Sequence, residues 1–286
     1  METKKSSATR NYLVYQASAY TAFSFWFPAM ARCLYAEGNF WKPEFYSMRR
    51  KFFALPGNWR NYYRGSSPFA SAQLFYPALE LSYHRCTQLL AGKNNDPTFK
   101  NKFQSSVTIG ALSGFVFNPL KAISMGMQNN KLNMVNTIRH IYNNYGRYGF
   151  WRGTSFFAIR NAIYCPCLLL LPGYLIKKFE SEESQLNKYV PMALGLGTAA
   201  FIATSASMTM DILSGVCVGD PIRTKFKTNW DVIKHVHKTK GYSGLFVIGF
   251  APRLTATLIE LYVYTMAKSF YEKHLTFDLS KLAFPK

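Results

Sequence analysis

From Tyr189 to Val218 the chain runs for 30 residues with Asp211 as its only charge. About 20 apolar residues suffice to cross the hydrocarbon core of a bilayer. A soluble helix of that length would alternate with a charged face. This stretch fills its other positions with Ser, Thr and Gly, small residues that let helices approach closely in lipid. Five further stretches are long enough to span: Asn11 to Ala36, Ser66 to Leu90, Phe103 to Gln128, Thr154 to Ile176 and Phe250 to Tyr271. Most carry a few charges or prolines, the pattern of helices that turn a polar face toward a wet cavity. The pattern therefore predicts an all-α membrane protein with six transmembrane helices.

The segments between these spans differ in charge. Glu37 to Arg64 holds six Lys/Arg and two acids, Asn129 to Arg152 four and none, and Gly219 to Leu245 six and two, each a net of +4. On the opposite side, Ser82 to Gln104 nets +3 and Lys177 to Lys188 nets zero. Such a bias orients the protein with its three basic loops on one side, that of synthesis or the matrix, and favours anionic lipid there.

The basic loops also repeat. Gly57-Asn-Trp-Arg-Asn-Tyr-Tyr-Arg-Gly65 resembles Gly146-Arg-Tyr-Gly-Phe-Trp-Arg-Gly153, and a third version runs from Gly241 to Gly249 before Phe-Ala-Pro-Arg253. The closing glycines 65, 153 and 249 are 88 and 96 residues apart, and Pro28 and Pro119, each late in an odd-numbered span, are 91 apart. Three units of roughly 90 residues, each two spans joined by a basic loop, account for this spacing.

Composition sharpens the picture. The 286 residues carry 34 Lys+Arg against 14 Asp+Glu, a net charge of +20, with 49% hydrophobic residues. The mean hydropathy of −0.08 looks soluble, which polar inner faces and basic loops explain. No Lys/Arg tract of five exists and no nucleic-acid module is visible, so a soluble nucleic-acid binder does not account for the charge-poor stretch around Asp211. The five cysteines (33, 86, 165, 167, 217) lack CxxC spacing, and the five histidines lie mostly in basic loops, so no metal site is expected. No phosphate loop or nucleophile elbow appears, so an enzyme is not expected. Met1 to Asn11 is short, polar and unlike a secretory signal or long transit peptide.

On these repeats the chain resembles the mitochondrial carrier family, from about Asn11 to Tyr271. Tyr145-Gly-Arg-Tyr-Gly-Phe-Trp-Arg-Gly153 is the most specific match and Tyr63-Arg64-Gly65 a second, while Phe246-Val-Ile-Gly249 lacks the basic residue. The resemblance implies three pseudo-threefold repeats, each with a short matrix-side amphipathic helix between its two spans, around one central cavity in the mitochondrial inner membrane. Boundaries follow at 1–10 for an N-terminal tail, 11–100, 101–186 and 187–273 for the repeats, and 274–286 for a C-terminal tail. It also implies bound cardiolipin and no other cofactor. Tyr63, Arg64, Gly65, Trp151, Arg152 and Gly153 are the candidates for that lipid interface: a glycine starts a helix whose N–H groups attract phosphate, with an arginine and an aromatic ring beside it.

The family ends each odd-numbered span with a proline, an acid two residues on, then two spaced bases and a glutamine, and its ion pairs close the matrix side. Those positions hold Pro28, Met30, Cys33, Tyr35 and Glu37 in the first repeat. The second holds Pro119, Lys121, Ser124, Gly126 and Gln128, and the third Thr209, Asp211, Ser214, Val216 and Val218. Pro28, Pro119, Gln128 and Asp211 are the remnants, with none of the pairing bases. The opposite gate, expected near Arg85, Gly173 and Ser269, shows no acid–base set either.

Arg160, seven residues after Gly153, falls at a family substrate-contact position, with Tyr164 one turn on, and Arg253 should share their cavity. Arg160 and Arg253 either bridge an anion with carboxylate or phosphate, or face water or pair structurally with Asp211 or Glu260. Two functions stay open: a structural or accessory subunit of an inner-membrane complex, such as a respiratory one, with transport reduced or lost, or an active atypical carrier exchanging a nucleotide, phosphate or carboxylate. Membrane lipids and other complex subunits are the expected partners; nucleic acid is not.

Overall fold

The computed structural model describes residues 67, 68, 71, 75–92, 96–130, 132–182, 189–219, 228–246 and 250–274. Pro28, Tyr63, Arg64 and Gly65 lie outside these residues, and of Gln128 only the backbone is described. The described chain forms eight α-helices and one 3-10 helix. They are α1 (Tyr76–Ala91), α2 (Phe99–Asn130), α3 (Met134–Tyr145), the 3-10 helix (Arg147–Trp151), α4 (Thr154–Leu169), α5 (Leu171–Glu182), α6 (Tyr189–Gly219), α7 (Asn229–Phe246) and α8 (Phe250–His274).

Among the described residues, three stretches are long and apolar enough to cross a membrane: Phe99–Met127 in α2, Arg147–Glu180 through α4 and α5, and Val190–Val218 in α6. The 16 residues of α1 are shorter than a bilayer crossing requires. α8 has the length, at 25 residues, but carries Arg253, Glu260 and Lys268 along it and is not among the three.

Local chemistry sets the breaks. The single long stretch expected over Thr154 to Ile176 divides at Leu170. Pro172, just beyond, has no N–H to bond back to Leu168, so the helical ladder loses a rung there. α3 begins at Asn133, whose side chain accepts from the Asn136 N–H at 2.8 Å, and α7 begins with Thr228 and Asp231 capping each other's backbone N–H at 3.2 and 2.8 Å. Twelve residues of helix from Met134 end at Gly146, with φ 62° and ψ −168°; twelve from Asn229 reach Gly241, with φ 62° and ψ −163°. This backbone region is open to glycine almost alone. The stretches from α2 to α4 and from α6 to α8 thus share one local plan: a long helix, a short helix, a glycine bend, a further turn and another helix.

Packing follows the small residues. α2 lies against α4 where Gly110 and Gly114, spaced as GxxxG, meet the backbone of Asn161 and Ala158. Asn161 Nδ2 donates to Ser113 Oγ at 3.0 Å across the same seam. α6 offers Ala199, Ala200 and Ala203, all fully buried, to Tyr164, Leu168 and Leu261 of α4 and α8. At its other end Leu213 and Cys217 join Phe156 of α4 with Val232 and Val236 of α7. The short helix α3 docks Ile141 on Ile123 and Met127.

Candidate functional site

The helix period selects which side chains of α8 face the bundle. Arg253, Thr257, Glu260 and Tyr264 recur at intervals of four, three and four, so they form one stripe. Each is buried, and each meets a polar group of another helix.

At one end of the stripe, Asp211 of α6 is the hub. Its carboxylate lies 3.3 Å from Lys121 Nζ of α2 and 3.7 Å from Arg253 Nε of α8. The first contact is a hydrogen-bonded ion pair; the second is an ion pair slightly beyond hydrogen-bond range. Lys121 Nζ also donates to Ser214 Oγ at 3.1 Å and stands 4.3 Å from the centre of the Phe157 ring. Desolvated cations are held well by such mixed partners.

In the middle, Tyr164 of α4 donates its hydroxyl to Glu260 Oε2 at 2.7 Å. The Arg160 guanidinium carbon lies 4.1 Å from the centre of the Tyr164 ring, and that of Arg253 lies 5.4 Å from it. Arg160 Nη1 donates to Asn161 Oδ1 at 2.6 Å, which links this cluster to the α2–α4 seam. Thr204 of α6 and Thr257 of α8 share a 3.3 Å hydroxyl contact. At the far end, Tyr264 donates to Glu80 Oε1 of α1 at 2.7 Å, and His84 Nε2 is 4.0 Å from the same oxygen.

The structure therefore brings Arg160 and Arg253 to the Tyr164 ring. It also brings Asp211 to Arg253, the structural pairing that the sequence left open. Lys121 was missed, because its motif position ordinarily holds an acid. The signal was present nonetheless: Lys121 and Asp211 stand 90 residues apart, about the spacing read between the sequence motifs, and have opposite charge. Glu80 and Tyr264 were not legible as a pair, since nothing local relates positions 184 apart.

Pro119 lies inside α2 with no break in the helix. The preceding Asn118 is fully buried and donates Nδ2 to the carbonyls of Phe150 and Arg152, at 2.9 and 3.1 Å. The signature turn is thus tied to the odd-numbered helix. Gly153 has left-handed φ 76° and ψ 6° at the head of α4, and a Cβ there would stand 2.9 Å from Cys217 Cβ and 3.1 Å from Ser214 O. Trp151 is 50% exposed, whereas Arg152 is only 7% exposed. The ring faces outward and the guanidinium is drawn into the protein. Among the described residues no group of three or more His, Cys, Asp or Glu could hold a metal.

Residues 95–181, spanning α2 to α5, match the family model described as mitochondrial carrier protein. The comparison with curated proteins returns no match.

Proposed function

We infer, from a chain that belongs to the mitochondrial carrier family through residues 95–181, that this carrier-type membrane protein serves as a structural or accessory subunit of an inner-membrane assembly, with transport reduced or lost. The observation that carries this reading is Asp211, which engages Lys121 and Arg253 from two other helices at once. Both are cations that a substrate anion would otherwise meet. Breaking a buried pair without replacing a partner costs about 3–5 kcal/mol. The motif positions offer no second set of acids and bases to take up the load when the helices rock. Six spans in three repeats complete the proposed architecture.

Trp151, with the first N–H groups of α4 behind Gly153, is the proposed cardiolipin contact; Arg152 adds its charge from beneath the surface, and Tyr63, Arg64 and Gly65 form the equivalent site of the first repeat. Exchange assays in liposomes, with nucleotides, phosphate and carboxylates, test the loss of transport. Saturable exchange abolished by Arg160→Ala would falsify it. Migration of the gently extracted protein on its own, without a larger complex, would sink the accessory role.

A second reading is favoured by the charge ledger of the seam. Lys121, Arg160 and Arg253 face Asp211 and Glu260, which leaves one positive charge over. An active carrier of a small anionic metabolite would use that surplus, and the same exchange assay decides between the two readings.

A further inference from the structure

Glu80 and His84 stand one turn apart on α1, on the face that meets α8. The Glu80 side chain is 5% exposed, and its Oε1 accepts the Tyr264 hydroxyl at 2.7 Å. His84 Nε2 lies 4.0 Å from the same oxygen, too far for a hydrogen bond, and its side chain is 32% exposed. The Tyr83 ring meets the imidazole edge-on, with centroids 5.1 Å apart. One buried carboxylate oxygen thus has a neutral donor in place and an imidazole just out of reach. Few other described groups near it carry or change charge. On α1, Tyr83 is close enough to feel the charge of Glu80, Cys86 is half-buried and Arg85 is exposed. α2 packs along α1 and has no charged or titratable side chain from Phe103 to Leu120. α8 supplies Tyr264 and, one turn back, Glu260, whose carboxylate is engaged by Tyr164.

We propose that Glu80 and His84 form a proton-binding site at the seam of α1 and α8: His84 takes a proton from water and closes onto the Glu80 carboxylate, which stays bonded to Tyr264. A carboxylate has lone pairs enough for both donors. Imidazole charges in the mildly acidic range, and partial exposure gives the proton a way in. A hydrogen bond between ionised partners is roughly twice as strong as a neutral one. The charged pair therefore adds an attraction that the unfolded chain lacks. The folded state should gain stability as pH falls through the imidazole range and lose it as pH rises. His84 stands about two turns from Ala91, the last residue of α1. The proposed architecture sets that end opposite the basic loops, so the site answers to the acidity of that compartment. It stands whether or not transport survives.

The test is thermal unfolding of the full chain in mild detergent, followed by circular dichroism at constant ionic strength between about pH 5 and 8. On acidification the melting temperature of the native protein should rise by about 2–4 °C more than that of His84→Gln. His140, His235, His237 and His274 are common to both proteins, so the difference isolates His84. Glu80→Gln, which keeps an acceptor for Tyr264, should remove the same increment, and combining the two substitutions should remove no more. His84→Asn is a second neutral replacement should the glutamine variant fail to fold. Parallel pH profiles for the native and His84-substituted proteins overturn the site, because the imidazole then gains nothing on charging. An increment that survives Glu80→Gln overturns the pairing, since the charged imidazole then answers to another group.

Discussion

Gly153 answers to two constraints at once, a left-handed backbone and the wall of α6. Asparagine tolerates the first but not the second. Gly153→Ala and Gly153→Asn should therefore both destabilise the protein, by about 2–3 kcal/mol in denaturation followed by circular dichroism. Rescue by asparagine would show that only the backbone matters. Gly146 and Gly241 make the complementary case. Among the described residues, no neighbouring atom stands within 4 Å of either Cβ position, so alanine should cost only backbone strain, about 1–3 kcal/mol and nearly the same at both. At this scale the sequence was informative wherever a residue type has one physical use. Gly153, at the head of α4, was legible for that reason. Arg152 was not, since a surface anchor and a buried guanidinium look alike in a string of letters.

Between elements, two kinds of contact hold the described bundle. The α2–α4 crossing depends on missing side chains: a Cβ at Gly114 would fall 2.7 Å from the Ala158 nitrogen, a backbone atom that cannot swing aside. Gly114→Ala should cost about 3 kcal/mol. Gly197→Ala, on α6 with open space around it, should be neutral or slightly stabilising, and thermal melts of the two variants compare them directly. The ion cluster joins α2, α6 and α8. Asp211→Asn leaves two cations facing each other and should lose about 3–5 kcal/mol. Lys121→Met leaves Asp211 with Arg253, removes a side chain that is 20% exposed, and should lose roughly 1 kcal/mol. Helix existence was readable from apolar length, most plainly in α6. The break at Leu170 was less so, because the apolar pattern runs straight through it and only Pro172 marks the fault. The Lys121–Asp211 pair escaped because the motif was read for an acid at this position paired with a base three or more residues further on, whereas here a base stands at the acid's own position.

For the whole molecule, the decisive property is sidedness. The helices α3 and α7 follow the long helices α2 and α6 in the same manner, each from a capped start to a glycine bend, so both should lie on one face of the membrane. Single cysteines placed at the exposed positions Asn136 and Lys234 should react with an impermeant thiol reagent from one side, and a cysteine at the exposed Asp96 from the other. Testing them in mitoplasts and in inside-out vesicles, on a background with the native thiols replaced, reads the orientation. Labelling of positions 136 and 234 from opposite sides would refute the common plan. The charge of the loops carries the same expectation, since it depends only on counting residues. The polar stripe of α8 was harder to see, because its members become neighbours of α1, α4 and α6 only after folding.

Asp211 also leaves a mark on inheritance. A residue bound to partners on two other helices cannot drift alone, since any lineage that loses the acid strands two cations inside the bundle. Descendants of the same ancestor should therefore keep positions 211 and 253 together or exchange them together, with position 121 freer to vary, and a survey of such sequences would show that order.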